Sequence, residues 1–307
     1  MVRISVIIAT LNRPSQLQAC LKSLFANSFK DFEIIIVDQS ADTKTKEVVK
    51  NFKTPLLCYI LCKKIGKANA LNIVLERAKG TILAFTDDDC IVTKSWLSEI
   101  ATSFSIYKDI DGLVGQVLPY KPSLHPGSVC PAITPNRKKA FVTKENYRFG
   151  HLGIGNNMAF RKRAMKGGFK EWLGVGTIGR SGIETEFIYR CIKENGKIYV
   201  NPKATVFHNR WLTKKENQKK QIQYTCGFLA FCTYYVLKGD LQGLMLGLEK
   251  VKRRCSFRLG SFLADKSFSH ITYSFEELWY LLQGVFLGSY FYFMERGSQK
   301  RKRKRTR

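Results

Sequence analysis

The sequence predicts an α/β fold: a Rossmann-like, mostly parallel sheet flanked by helices, followed by a helical C-terminal region. Three observations carry this. Four short β-rich runs occur at residues 4–10, 32–38, 56–61 and 82–86. The stretches between them repeat apolar residues every three or four positions, the period of a helix. Such alternation implies right-handed crossovers and strands that run in one direction. Polar residues then follow the first, second and fourth runs, and a parallel sheet binds ligands beyond the carboxyl ends of its strands.

In order along the chain, "ISVIIAT" opens onto the polar loop "LNR", and residues 16–25 place Leu17, Leu21 and Leu24 on one helical face. "FEIIIVD" opens onto "QSAD", with a second helical segment at 43–52. Residues 67–78 set Ala68, Leu71, Val74, Leu75 and Ala78 at helical spacing, and the fourth run leads straight into Asp87, Asp88 and Asp89. Residues 111–170 read as further strands and loops, with Pro, Gly and basic residues gathered at 119–139. "GIGNNMAF" precedes a glycine-rich loop at 167–182. Glu184, Phe187, Ile188, Cys191 and Ile192 recur at helical spacing, Gly196 ends that helix, and 197–208 reads as a strand. After Trp211 the character changes to apolar-aromatic stretches broken by charged ones, so the chain divides into residues 1–211 and 212–307.

An apolar fraction of 45% excludes a disordered chain. A length of 307 residues suits one large domain, or a domain of about 200 residues with an appendage. The net charge is +27, and residues 201–307 carry 21 Lys and Arg against 7 Asp and Glu, about half of the excess. Such a charge attracts polyanions without choosing among them. No nucleic-acid-binding module accompanies it, so nucleic acid is not an expected partner. The nine cysteines include no C-x-x-C pair; Cys58 and Cys62 form a lone C-x3-C, and buried thiols in a reducing compartment are the better reading. "MVRISVIIATLNR" lacks a long apolar segment and is expected to be a strand, not a signal peptide.

Three adjacent carboxylates repel one another, so "TDDD" asks for a cation. One reading is a solvated turn or a cap for the helix starting near Lys94. The other is a hard divalent ion, since Mg²⁺ or Mn²⁺ prefers oxygen ligands and commonly binds one or two carboxylates together with substrate phosphates.

Five segments together resemble the family 2 glycosyltransferases, which have the GT-A fold: "ISVIIATLNRPSQLQACLKSL", "FEIIIVDQSADTKTKEVV", "GKANALNIVLERAKGTILAFTDDDCIV", "GNNMAFRK" and "GIETEFIYRCIKENGKIYVNPKATVFH". They occur in order over about residues 3–211 with family-like gaps. The resemblance implies an inverting, metal-dependent transfer of a sugar from a nucleotide-diphosphate donor, UDP foremost, to a hydroxyl acceptor on a glycan or lipid. Thr10, Asn12 and Arg13 would lie along the nucleotide and Asp38 would accept from the base. Asp42 and Lys67 would border that pocket, with Asp87 and Asp88 on the donor side. Asp89, with His208 in some relatives, would hold Mn²⁺ or Mg²⁺. Glu184 would be the general base, at a position where the family usually shows Asp; Glu186, Asn156 and Asn157 would lie on the acceptor side. Asp38 also suits an Asx-turn, Lys67 a surface charge, His208 a structural role, Glu184 and Glu186 a solvated helix start, and the two asparagines a turn. The alternatives are a sugar-nucleotide nucleotidyltransferase, which would show a glycine-rich loop where this chain has "TLNRPSQ", and a non-catalytic binding protein of the same fold.

Residues 277–294 carry no charge after Glu277 but number about 18, against about 20 for a bilayer-spanning helix. Aromatic residues crowd both ends, Gly284 and Gly288 suit close helix packing, and a basic tail follows. The segment admits a membrane-interface helix, a single span or a core helix. The expectation is a peripheral or single-span protein at the cytoplasmic face of an anionic membrane surface.

Overall fold

The computed structural model describes residues 3–121, 126–135, 138–148, 155–265 and 269–305, with the backbone alone at 257–265, 269–274 and 300–305. Two compact units result: Met1–Glu171 with Ile183–Asn217, and Trp172–Gly182 with Gln218–Arg307.

The first unit is a mixed α/β layer structure on one sheet. Strands β1 (Ile4–Thr10), β2 (Phe32–Asp38), β3 (Leu57–Leu61) and β4 (Ile82–Phe85) pair in parallel in the order β3-β2-β1-β4. β1 and β2 are almost wholly buried, which is why they read as continuous apolar runs without alternation. Helices α1 (Pro14–Phe25), α2 (Lys44–Lys50) and α3 (Lys67–Arg77) connect them. α1 buries Leu17, Cys20, Leu21 and Leu24, one stripe at helical spacing. Truncating Leu21 to Ala there would cost about 2–5 kcal/mol.

Beyond β4 the sheet continues through β8 (Met158–Arg161), β6 (Gly112–Pro119), β9 (Ile198–His208) and β5 (Cys90–Val92), with β7 (Ala140–Val142) also on β9. β8 is antiparallel to both β4 and β6, so β6 runs with β4, and β9 is parallel to β6. Six of the nine strands among the described residues therefore share one direction. α4 (Trp96–Ile106) and α5 (Ile183–Lys193) complete the unit.

This topology decides where chemistry gathers. β1, β2, β4 and β9 end at one edge, which brings Thr10, Asp38, Asp87–Asp89 and His208 there. β8 runs the other way, so its beginning, preceded by Asn156 and Asn157, lies at that same edge, with Met158 beside Phe85.

The second unit is helical: α6 (Lys214–Leu237, from Gln218 onward), α7 (Leu241–Asp265) and α8 (Ser269–Arg305). Gly284 and Gly288 of α8 abut the Cys226 and Ala230 carbonyls of α6, an approach that a Cβ would block. Trp172 stacks on Phe291 at 4.6 Å, and Ser181 Oγ donates to the Gln223 carbonyl, which ties the glycine-rich loop to these helices. Among the described residues no helix is long and apolar enough to cross a membrane. The side chains of the basic run 300–307 lie outside the described residues. All nine cysteines are free, and only Cys58 and Cys255 are exposed.

Candidate active site

The like-charge problem of Asp87–Asp89 is solved by cations of the chain itself. Asp87 Oδ1 accepts from Lys67 Nζ at 2.7 Å. Asp88 accepts from Thr10 Oγ1 at 2.8 Å and from Arg13 Nη1 at 3.0 Å. Asp89 Oδ2 accepts from the same Arg13 nitrogen at 2.9 Å and lies 3.7 Å from Arg210 Nη1. His208 Nε2 stands 3.3 Å from Asp89 Oδ1, near enough for an ion pair but poorly directed for a hydrogen bond.

These environments split two neighbouring carboxylates. Burial pushes Asp88 up to about 6, with the Asp89 charge adding and Arg13 and Thr10 opposing. Burial pushes Asp89 the same way, but His208, Arg13 and Arg210 overcome it and hold it down at about 2. Burial alone would lower His208; Asp89 chiefly, with Cys130 and the Pro131 carbonyl, raises it to about 10. His208 Nδ1 lies 2.6 Å from the Pro131 carbonyl oxygen, so that nitrogen carries the proton.

Lys67 is the hinge of the arrangement. Gly66, with φ at 121°, turns the chain into α3 and sets Lys67 at its first turn. The ammonium donates to Asp87 and, also at 2.7 Å, to Glu184 Oε1 of α5. Burial opposes its charge, yet the two carboxylates raise its proton affinity above the ordinary lysine range. Gly155 packs directly against the Glu184 carboxylate, where a Cβ would overlap it.

Thr10, Arg13, Asp88, Asp89 and His208 thus form one side-chain network and Lys67, Asp87 and Glu184 a second, and the consecutive backbone of Asp87–Asp89 joins the two into one constellation. The other predicted positions do not join it through side-chain contacts. Asp38 is fully buried, accepting from Tyr59 OH at 2.7 Å and the Ser40 N–H at 2.9 Å, the Asx-turn geometry. Asp42 is exposed and accepts the Lys44 N–H at the start of α2. Asn12 takes the left-handed conformation, φ 56°, and its N–H donates to Ser40 Oγ. Asn157 bonds Trp96, Gln116 and Ala204, holding β8, β6 and β9 together. The Asn156 carbonyl accepts from Thr86 Oγ1, and its own Oδ1 is buried without a hydrogen bond. Glu186 is fully buried and paired with Arg190 one helical turn on, at 3.0 Å. Asn72 bonds both the N–H and the carbonyl of Phe169 and so fixes the segment after β8.

Sequence reasoning missed Arg210, Tyr59 and the Pro131 carbonyl. Arg210 carried a signal: it stands two positions after His208, the spacing that returns a side chain to the same side of an extended chain.

The described residues include no group of three or more His, Cys, Asp or Glu placed to hold a metal ion. A smaller set still fits one. Asp89 Oδ1 is buried without a hydrogen bond, and His208 turns Nε2 toward it with Nδ1 fixed on a backbone carbonyl, the second-sphere arrangement of a ligating histidine.

The family model of Glycosyl transferase family 2 matches residues 5–169, more than half of the chain. The chain belongs to this family. Among curated relatives, glycosyltransferase AglE of Haloferax volcanii is 31% identical over 107 residues, 33% of this chain and 35% of that protein. The GalNAc(5)-diNAcBac-PP-undecaprenol beta-1,3-glucosyltransferase of Campylobacter jejuni is 37% identical over 93 residues, 29% and 30% of the two chains. These matches span about a third of the relatives' length. Among solved structures, Staphylococcus aureus TarS 1–349 in complex with UDP-GlcNAc superposes with a TM-score of 0.59 at 19% identity, covering 92% of this chain and 81% of that one. The mannosyltransferase PcManGT of Pyrobaculum calidifontis, in complex with GDP-Man and Mn²⁺, gives 0.60 at 14% identity, covering 93% and 86%. At such identities the likeness establishes the fold.

Proposed function

We propose that this family member transfers a sugar from a nucleotide-diphosphate donor, UDP-linked, to a hydroxyl of a glycan or lipid-linked acceptor, with inversion at the anomeric carbon. One observation carries the reading: a single ammonium, Lys67, bridges Asp87 at the donor-side strand end and Glu184 at the start of α5. Direct displacement needs leaving-group stabilisation and proton removal close together, and this bridge sets the two carboxylates side by side. Relatives named for transfer to undecaprenol-linked acceptors, and a neighbour bound to UDP-GlcNAc, support the donor and acceptor classes. The family match favours sugar transfer over nucleotidyl transfer.

In this reading Glu184 takes the proton of the acceptor hydroxyl, Lys67 orients that carboxylate, and Arg13 and Arg210 hold the acidic cluster in place. Asp89 and His208 would hold a divalent ion, which when bound supplies Lewis-acid stabilisation of the leaving diphosphate. Glu186, buried on Arg190, positions α5.

The test is a panel of nucleotide-sugars with Mn²⁺, scored for donor hydrolysis, with the released sugar's anomer followed by NMR. Hydrolysis of a UDP-sugar with inverted product is expected. Glu184→Gln should lower turnover by roughly 10² or more with UDP affinity near wild type. Undiminished turnover in that variant, or a retained anomer, overturns the assignment.

A further inference from the structure

α8 is apolar on two opposite faces, and the helix bundle uses only one. Gly284, Leu287 and Gly288 face the bundle, where the glycines meet the α6 backbone. Phe275, Leu278, Trp279, Leu282, Phe286 and Phe293 lie on the opposite side, Leu278 and Trp279 adjacent and the other steps three, four or seven residues, and each is between 52% and 71% exposed. At 1.5 Å per residue the stripe runs for about 27 Å. Between Leu278 and Met294 the sequence contains no charged residue. α7 repeats the pattern on a smaller scale, with Leu241, Leu244, Met245 and Leu248 exposed.

From this we infer that the outward face of α8 is a docking surface for an anionic lipid bilayer, lying in the interface plane and not across it. Two features select that occupant. The stripe is continuously apolar and aromatic, with Trp279 toward one end and Tyr290 toward the other, the composition of an interfacial helix. The helix runs on into Arg296 and then residues 300–305, all six of which are Lys or Arg. An anionic bilayer offers an apolar layer beside a negatively charged one, which matches both parts. A second copy of the chain presents the same positive charge and would be repelled. The inference is independent of the proposed reaction.

The experiment is co-sedimentation of the full chain with vesicles of phosphatidylglycerol and phosphatidylcholine, against phosphatidylcholine alone. Binding to the anionic vesicles is expected, and it should weaken as added salt screens the charge term. The double variant Leu282→Glu/Phe286→Glu should lower the partition at least about tenfold while the circular dichroism spectrum is kept. A second readout needs no disruptive change: brominated lipid should quench Trp279 fluorescence, taken as the difference between the wild type and Trp279→Phe. No sedimentation with anionic vesicles, undiminished binding by the double variant, or unquenched Trp279 overturns the inference. A concentration-dependent dimer that the double variant dissolves, without vesicle binding, assigns the face to a second copy instead.

Discussion

Replacing Lys67 by Met removes the bridge between Asp87 and Glu184, the donor-side and acceptor-side carboxylates of the proposed reading. Asp87 Oδ1 and Glu184 Oε1 each lie 2.7 Å from Nζ, so they stand no more than twice that, about 5.4 Å, apart. Without the ammonium they repel by about 3 kcal/mol at an effective dielectric constant of about 20. An energy of that size is enough to drive one carboxylate out of its place, and as a loss of transition-state stabilisation it corresponds to roughly 10² in rate. The kcat/KM for donor hydrolysis should therefore fall by about that factor in Lys67→Met, with UDP affinity retained. Lys67→Arg, which keeps the cation, should restore most of it. Undiminished kcat/KM in a folded Lys67→Met protein would refute the reasoning. So would an equal further loss when Lys67→Met is made in a Glu184→Gln background, because the pair then no longer exists.

Three further outcomes are expected. Asp89→Ala should weaken UDP binding only when metal is present; titration calorimetry with and without Mn²⁺ decides it, and equal UDP affinity for both proteins in saturating metal removes the metal role. Gly155→Ala forces the Glu184 carboxylate out of its place, so donor hydrolysis should fall by about 10² while UDP affinity is retained, as for a misplaced group of about 1 Å. Burial lowers Lys250 of α7 to about 8, with Arg254 adding to the effect. The unfolded chain therefore binds more protons between about 8 and 10.5, and stability contributed at this position rises with pH across that window. Lys250→Met should flatten that rise and gain on the order of 2 kcal/mol at pH 7, read by chemical denaturation at pH 7 and pH 10.

The parts of the fold that were legible in the sequence are those where one local rule acts alone. β1 and β2 are buried on both sides and announce themselves as apolar runs, and α1 and α3 show their buried stripes. β5 and β7 have three residues each, too few for any period, and β8, with four, gives no sign that it runs against its neighbours. At the site, residue type was legible and orientation was not. Asp38 and Asp88 both follow buried strands, yet one is absorbed by Tyr59 and a backbone N–H while the other enters the cluster. Asn157 reads as a polar loop residue and turns out to hold three strands together. In α8 the two apolar faces cancel each other's periodicity, so the exposed one emerges only once the packed one has been found.

The charge balance around the three adjacent aspartates also has a quantitative side. Asp87, Asp88, Asp89 and Glu184 are four acidic groups; Arg13, Lys67, Arg210 and a His208 raised to about 10 are four cations in contact with them. The cluster is close to neutral as it stands, which accounts for its tolerating burial. It does not account for holding a donor, because a nucleoside diphosphate arriving alone would add about two negative charges to a balanced site. Its burial makes that imbalance expensive, since screening by water is weak there. On the proposed reading a divalent cation entering with the diphosphate would limit it, and Asp89 Oδ1 is the carboxylate oxygen of the triplet that is buried without a hydrogen bond. On the proposed reading, the protein's own cations stabilise the free site and the metal answers for the donor. This is why the Asp89→Ala comparison must be made both with and without Mn²⁺: only the difference between the two titrations separates a carboxylate that braces the fold from one that bridges to the diphosphate.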